Sequence, residues 1–316
     1  MLFKARQKPG WLSLAVNGDR VDIAHVSRSA SGRPVVGLCE TYRREGSLEH
    51  TMTRLRRERS LEKFRLTVLM PAGQYQLLQL EAPTVPEAEL ATAIRWRIKD
   101  MIDFPVESAV VETMAIPVDQ ATGGRTPQVF AVVAQASAVR HQIEPLTASG
   151  LNLMAIDIVE NAQRNICALF EQPGRGAALL AFDASGALFT LTFGGELYMA
   201  RRFDTSLAAL SEASDEDRQA AYDRITLELQ RSIDRVDRQF SFVSVARLLL
   251  AGDGPIEGLR DCLAANLDLP VELLDLAQVM DFPSVPELRT SARQAQCLAG
   301  IGAALRDESS PGARAG

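Results

Sequence analysis

The sequence predicts an α/β protein in which one plan occurs twice, as two lobes with a cleft between them. Two observations carry this expectation. Each half opens with a strand, a short polar turn containing Gly, a second strand and a third, and then continues into helices and further strands. Between the halves, Gly174-Arg175-Gly176 reads as a linker.

The elements follow in order along the chain. "WLSLAVNGDRVDIAHVS" is two short apolar runs around Asn17-Gly18, the strongest short hairpin signal, and residues 34 to 41 add a third strand. An Arg-rich helix follows with Arg54, Arg56, Arg57 and Arg59. Glu58 and Glu62 interrupt that cluster, so it reads as a solvated face rather than a phosphate contact. "FRLTVLMPAG" is a strand, and "YQLLQLEAP" leads to a helix opening with Thr84-Val85-Pro86-Glu87, a capping-box pattern with Pro in the first turn. Leu90, Ile94, Ile98 and Ile102 line one face of this helix at four-residue spacing, and Phe104-Pro105 ends it. "AVVETMAIP" and "QVFAVVAQA" are strands around the polar loop "VDQATGGRTP", followed by a helix from about Ala138 to Ser149 and the strand "LNLMAIDI".

The second half starts with "AALLAFDASGALFTLTFGGELYMARRF", three strands separated by two turns containing Gly. A long helix spans about Ser214 to Phe240, its apolar face marked by Ile225, Leu229, Ile233, Val236 and Phe240. "RLLLAGDGPIEGL" runs a strand into the turn Gly252-Asp253-Gly254 and on into a helix with Pro255 at its first position. "LPVELLDL" is a further strand, and the last helix ends "CLAGIGAALR". The tail "DESSPGARAG" reads as disordered.

Composition narrows the function classes. A hydrophobic fraction of 47% and a charged fraction of 23% fit a protein that buries a core, and a net charge of −6 argues against nucleic acid as a partner. No apolar stretch approaches the roughly 20 residues of a membrane span, so direct membrane insertion is not expected. Cys39, Cys167, Cys262 and Cys297 lie far apart among apolar residues and read as free buried thiols in a reducing cytoplasm. His25, His50 and His141 are isolated and read as surface or core residues rather than metal ligands. "GGRTPQ" lacks the Lys-Ser/Thr of a phosphate-binding P-loop and reads as a hairpin tip.

Several pieces resemble one family in the same order. "ELATAIRWRIKDMIDFPVESAVVETMAIP", "VFAVVAQASAVRHQIEPLTASGLNLMAIDIVENA", "ITLELQRSIDRVDRQF", "LLLAGDGPIEGLRDCLAANLDLPVELLD" and "AGIGAALR" are similar to segments of PilM-type proteins of type IV pilus assembly, MshI-like ones of mannose-sensitive haemagglutinin pili in particular. The resemblance covers roughly residues 11 to 306. It implies a two-lobed, actin-like (duplicated RNase H-like) fold with an inserted FtsA-type subdomain. The first lobe would then span 1–172 with the insertion at about 75–137, the second 173–306, and the tail 307–316. It also implies ATP and Mg²⁺ in the cleft, a PilN-like bitopic inner-membrane protein as partner, pilus motor ATPases as further contacts, and a cytoplasmic location peripheral to the inner membrane. The cytoplasmic component GspL of type II secretion is a related alternative.

Sites that the resemblance implies are mapped here residue by residue. Two Gly-containing hairpins would hold the phosphates through backbone N–H groups, each with a carboxylate for Mg²⁺. In the first, Ala15 stands where the family has that carboxylate, beside Asn17 and Gly18, while Asp19 lies in the turn and points elsewhere. In the second, Asp183 is followed by Ser185 where Gly is expected, or Ala181 takes the carboxylate position in a slipped register. Glu228, Arg231, Ser232, Gly252 and Gly254 fall on the adenosine side. A working ATPase and a ligand-free or weakly binding, non-hydrolytic scaffold therefore both remain open. For the partner, Trp96 and Arg95 on the inserted helix are the candidates; Trp96 either packs under a neighbouring strand or sits at a partner-binding groove.

Overall fold

The computed structural model describes residues 7–118, 126–183, 186–254 and 256–306. Ser185, Pro255, most of the "VDQATGGRTP" loop including Gly123, Gly124 and Arg125 of "GGRTPQ", and the 307–316 tail lie outside the described residues.

The first half is built on β1 (Trp11–Asn17), β2 (Arg20–Arg28) and β3 (Pro34–Arg43), an antiparallel meander. Gly18 sits at φ 63°, the left-handed value that a tight hairpin turn demands, and its neighbours Asn17 and Arg20 close the ladder. Helix α1 (Leu48–Arg59) starts at Ser47, whose side chain accepts from the His50 N–H. Then β4 (Arg65–Leu69) joins β1 in parallel.

β5 (Tyr75–Glu81), α2 (Glu87–Arg97), β6 (Ala109–Ile116) and β7 (Gln128–Gln135) follow, before the chain returns through α3 (Ala136–Ala148) to β8 (Leu153–Asp157), beside β4. The sheet order is β3-β2-β1-β4-β8.

After α4 (Val159–Ala168), the second half repeats the plan. β9 (Gly176–Asp183), β10 (Gly186–Phe193) and β11 (Glu196–Phe203) form the meander, α5 (Leu207–Glu212) and α6 (Asp215–Gln239) follow, and β12 (Val245–Ala251) pairs in parallel with β9. Helix α7 (Glu257–Asn266) leads to β13 (Val271–Leu273), and the order β11-β10-β9-β12-β13 matches the first sheet place for place. The duplicated two-lobed architecture is thus present.

Two helices occupy the space between the sheets. The last helix, α8 (Ser291–Ala304), lies against α4, and a shared core draws Val36 and Cys39 from one sheet, Leu179 and Leu249 from the other, and Ile166 and Ile301 from the helices. A Cβ built on Gly302 would stand 2.1 Å from the Ala162 carbonyl oxygen, so only glycine lets α8 approach α4 this closely.

The β5–β7 segment forms its own three-stranded sheet, ordered β5-β7-β6. Strand alternation buries both of its faces. Val129, Ala131 and Val133 pack under Ile94 of α2 and Ile98 at its C-cap, while Ile116 and Phe130 join the core of the second lobe. The inserted sheet therefore spans the gap between lobes.

Two sequence expectations for α2 need correction. Its N-cap is Pro86 with no side-chain cap, so Thr84 forms no capping box. The helix ends at Arg97 rather than continuing to Ile102; a turn closed by the Met101 N–H on the Ile98 carbonyl carries Ile102 into the same core. Apolar spacing alone does not distinguish a helical last turn from such a bend.

Candidate functional site

The two hairpins that open the lobes face each other across the cleft. A cavity of about 160 Å³ between them is lined by Ala15, Asn17 and Arg20 from the first, and by Ala181 and Asp183 from the second. Gln163 of α4 and Gln296 of α8 also line it. Ala15 pairs with Asp22 and Leu69, and its methyl side chain gives this hairpin no carboxylate there. Asp19 turns away to pair with Arg43 at 3.2 Å, and Asp22 is engaged by Arg20 at 2.8 Å and by the Thr41 hydroxyl at 2.6 Å. Gly18 has nothing within 4 Å of a built Cβ, so the hairpin tip is open.

Residues assigned to the adenosine side have protein partners. Glu228 is ion-paired with Arg201 of β11 and with Arg231 at 3.0 Å, and the Ser232 hydroxyl donates to the Glu228 carbonyl at 2.7 Å. Gly252 is closed over by α5: a Cβ there would lie 2.5 Å from Leu207 Cδ1, and one on Gly254 would lie 3.7 Å from it. Gln296 of α8 donates to the Asp253 carboxylate at 2.5 Å, tying the turn to the helix between the sheets. A branched side chain at Gly252 would have to push the end of the Leu207 side chain aside.

Next to the hairpin cavity, and sharing Ala72, Leu188 and Arg202 with it, is a wider one of about 580 Å³. Its wall holds a cluster that no motif announced. Tyr75 at the start of β5 donates its phenol to Glu160 Oε2 at 2.5 Å, and Arg202 of β11 donates Nε to Glu160 Oε1 at 3.2 Å. The Glu160 side chain, in the first turn of α4, is only 4% exposed. Burial pushes the Tyr75 phenol well above its ordinary range, and the adjacent Glu160 charge adds to this, so the phenol stays a donor. For Arg202 burial works toward deprotonation, but Glu160 and Tyr75 more than offset it and the guanidinium stays charged. One residue comes from the insertion, one from the first lobe and one from the second, so the cluster fastens three parts of the molecule at one point.

Trp96 is not part of the core. It is 69% exposed on α2, on the side away from the three-stranded sheet, which excludes packing under a strand. Its neighbours differ: Arg95 Nη2 donates to the Ala109 carbonyl at 3.2 Å and Arg97 Nη1 to the Glu81 carbonyl at 2.9 Å. Arg95 thus secures α2 over the start of β6, and Arg97 secures it over the end of β5.

The sheet order and the paired hairpins define the class of fold: two-lobed and actin-like, with an inserted subdomain. No family model matches the chain, and no curated protein matches it. Among solved structures it resembles a PilM–PilN type IV pilus biogenesis complex, with a TM-score of 0.68 and 20% identity over 93% of this chain and 98% of that one. It is also similar, more distantly, to a Bacteroides thetaiotaomicron protein of actin-like ATPase fold and unknown function (TM-score 0.48, 11% identity, 89% and 96% covered). A third likeness is the cytoplasmic domain of EpsL, an inner-membrane component of the Vibrio cholerae type II secretion system (TM-score 0.46, 13% identity, 92% and 94% covered). Among the described residues, no helix is long and apolar enough to cross a membrane.

Proposed function

We propose that this chain is an assembly-platform component of a type IV pilus of the MSHA-like kind. In this role it holds the cytoplasmic tail of a PilN-like bitopic inner-membrane protein, sits at the inner membrane through that partner, and relays contacts to pilus motor ATPases. The observation that carries the reading is Trp96. A tryptophan left 69% exposed on the inserted subdomain is free to meet a partner, and aromatic anchors supply much of the affinity at protein interfaces. The whole-chain likeness to the PilM–PilN complex supports the same reading.

The cleft is read as a joint rather than an active site. The Mg²⁺ carboxylate of the first hairpin is replaced by Ala15, and Glu228 and Gly252 already have Arg201 and Leu207 against them. These residues do not fit MgATP, and no catalytic step is assigned to them.

Co-purification tests the partner role. With the PilN-like tail as bait, Trp96→Ala should lose the tail and release the protein from the membrane fraction. Its unfolding free energy should change by less than about 0.5 kcal/mol, as for other exposed sites. Full retention of the tail by the folded variant would remove Trp96 from the interface.

A further inference from the structure

Cys39 of β3 and Cys297 of α8 are far apart in sequence, yet α8 brings them together. Arg293, one turn before Cys297 on α8, donates Nη2 to the Cys39 carbonyl at 3.4 Å and Nη1 to the Thr41 hydroxyl at 3.3 Å. Just after Cys297, a Cβ on Gly300 would touch Ala24, the register partner of Cys39, at 3.5 Å. Both cysteines belong to the core between the sheets, both are free, and Arg293 bonds the Cys39 backbone from one helical turn before Cys297, so the two thiols are neighbours. Cys39 also lines an open cavity of about 700 Å³ together with Thr41, Arg59 and Arg293, which brings a small reagent to the Cys39 side of the pair. The other two thiols have different surroundings. Cys167 donates to the Ala177 carbonyl inside the core, and Cys262 of α7 lies beside Thr226 of α6.

We propose that Cys39 and Cys297 form a reversible redox-modification site, at which a hydroperoxide converts the two thiols into a disulfide that pins α8 to β3. Cys297 is the attacking group. The neighbouring Cys39 thiol lowers its pKa, burial opposes this, and the Arg293 charge lowers it further. The same neighbour, together with burial, raises Cys39.

The Cys297 thiolate attacks one peroxide oxygen, the O–O bond breaks, and the leaving hydroxide is protonated to water, which leaves Cys297 as a sulfenic acid. The Cys39 sulfur then displaces that hydroxyl, which departs as water with the Cys39 proton. Two thiols lose two electrons in all, and hydrogen peroxide is reduced to two waters. Because Gln296 of the same helix holds Asp253 in the second lobe, the crosslink fixes α8 at the point where the lobes meet.

The test uses the full chain, dosed with hydrogen peroxide, quenched with an alkylating reagent, digested and weighed. The expected product is one intramolecular Cys39–Cys297 peptide pair, lighter by two hydrogens and restored by dithiothreitol, with Cys167 and Cys262 alkylated after denaturation. The oxidised chain should also melt at a higher temperature than the reduced one. Cys39→Ser should halt at a Cys297 sulfenic acid that dimedone traps. Since that variant can pack poorly, Arg293→Met gives a second readout: crosslinking slows at neutral pH and recovers at alkaline pH, where the thiolate no longer needs the guanidinium. All four thiols remaining alkylatable at a dose that oxidises dithiothreitol would overturn the proposal, as would crosslinks that form only between chains. An Arg293→Met rate equal to wild type at neutral pH would overturn the assignment of Cys297 as the attacking thiolate.

Discussion

Arg202→Met isolates the electrostatic part of the junction between the insertion and the two lobes. Methionine keeps most of the apolar stem but removes the guanidinium, leaving the Glu160 carboxylate, 4% exposed, with the Tyr75 phenol as its remaining side-chain donor. Removing one partner of a fully buried pair costs about 3–5 kcal/mol, because the other charge stays desolvated. Arg202 is 35% exposed, so water already screens part of this pair, and the loss expected here is about 2–3 kcal/mol. Urea unfolding at neutral pH measures it, provided the slope with denaturant is unchanged.

Adding Glu160→Gln to Arg202→Met separates charge from packing. The amide fills the same space without the uncompensated charge, so the double variant should recover about 1–2 kcal/mol relative to additivity. A loss below about 0.5 kcal/mol for Arg202→Met would make the pair an ordinary surface bridge and refute the reasoning. An undiminished loss in the Glu160→Gln background would refute it as well, since the effect would then lie in the arginine stem.

Three further outcomes follow from the packing and the cleft. Gly302→Ala forces a methyl group to 2.1 Å from the Ala162 carbonyl oxygen, and because backbone must move, urea unfolding should show a loss of about 3 kcal/mol or more. Gly252→Val drives a side chain into Leu207 and should cost about 1–3 kcal/mol; unchanged stability would mean that α5 yields freely. Calorimetry with MgATP should detect no binding tighter than about 1 mM, equivalent to about −4 kcal/mol, and micromolar binding by the wild type would return the cleft to nucleotide.

Much of the fold was legible because local signals dominate it. Asn17-Gly18 and the double glycine Gly194-Gly195 place φ > 0 residues between alternating strands, and the apolar stripe from Ile225 to Val236 runs along one face of α6. Helix α4 escaped notice because polar residues share its buried face. Glu160 and Gln163 are both buried, and Gln163 donates to the Leu179 and Leu188 carbonyls, beside only a short apolar stripe of Ala162, Ile166 and Cys167.

The Tyr75–Glu160–Arg202 cluster and the Cys39–Cys297 pair were invisible for a different reason: each joins residues that only the assembled lobes bring together. In the mapped adenosine site the residue positions were readable but their neighbours were not. Nothing near Gly252 in sequence announces that Leu207 fills the space beside it.

In a two-lobed fold with a cleft, a bound ligand changes the lobe arrangement only by binding one arrangement better than another. Here contacts within the chain already hold the lobes together. Ile116 and Phe130 of the inserted sheet enter the second lobe's core, Arg202 reaches Glu160, and Arg33 ahead of β3 holds Asp281 at 3.0 Å and the Ala277 carbonyl at 2.9 Å. With closure supplied by these contacts, a nucleotide would have little arrangement left to select. The inserted subdomain differs in that one of its sheet faces is committed to the second lobe and the other to α2, so the outer side of α2 is the part left over for a partner. Trp96 stands on that outer side, and under the proposed scaffold role tail binding at α2 would be felt by the second lobe through the same three-stranded sheet.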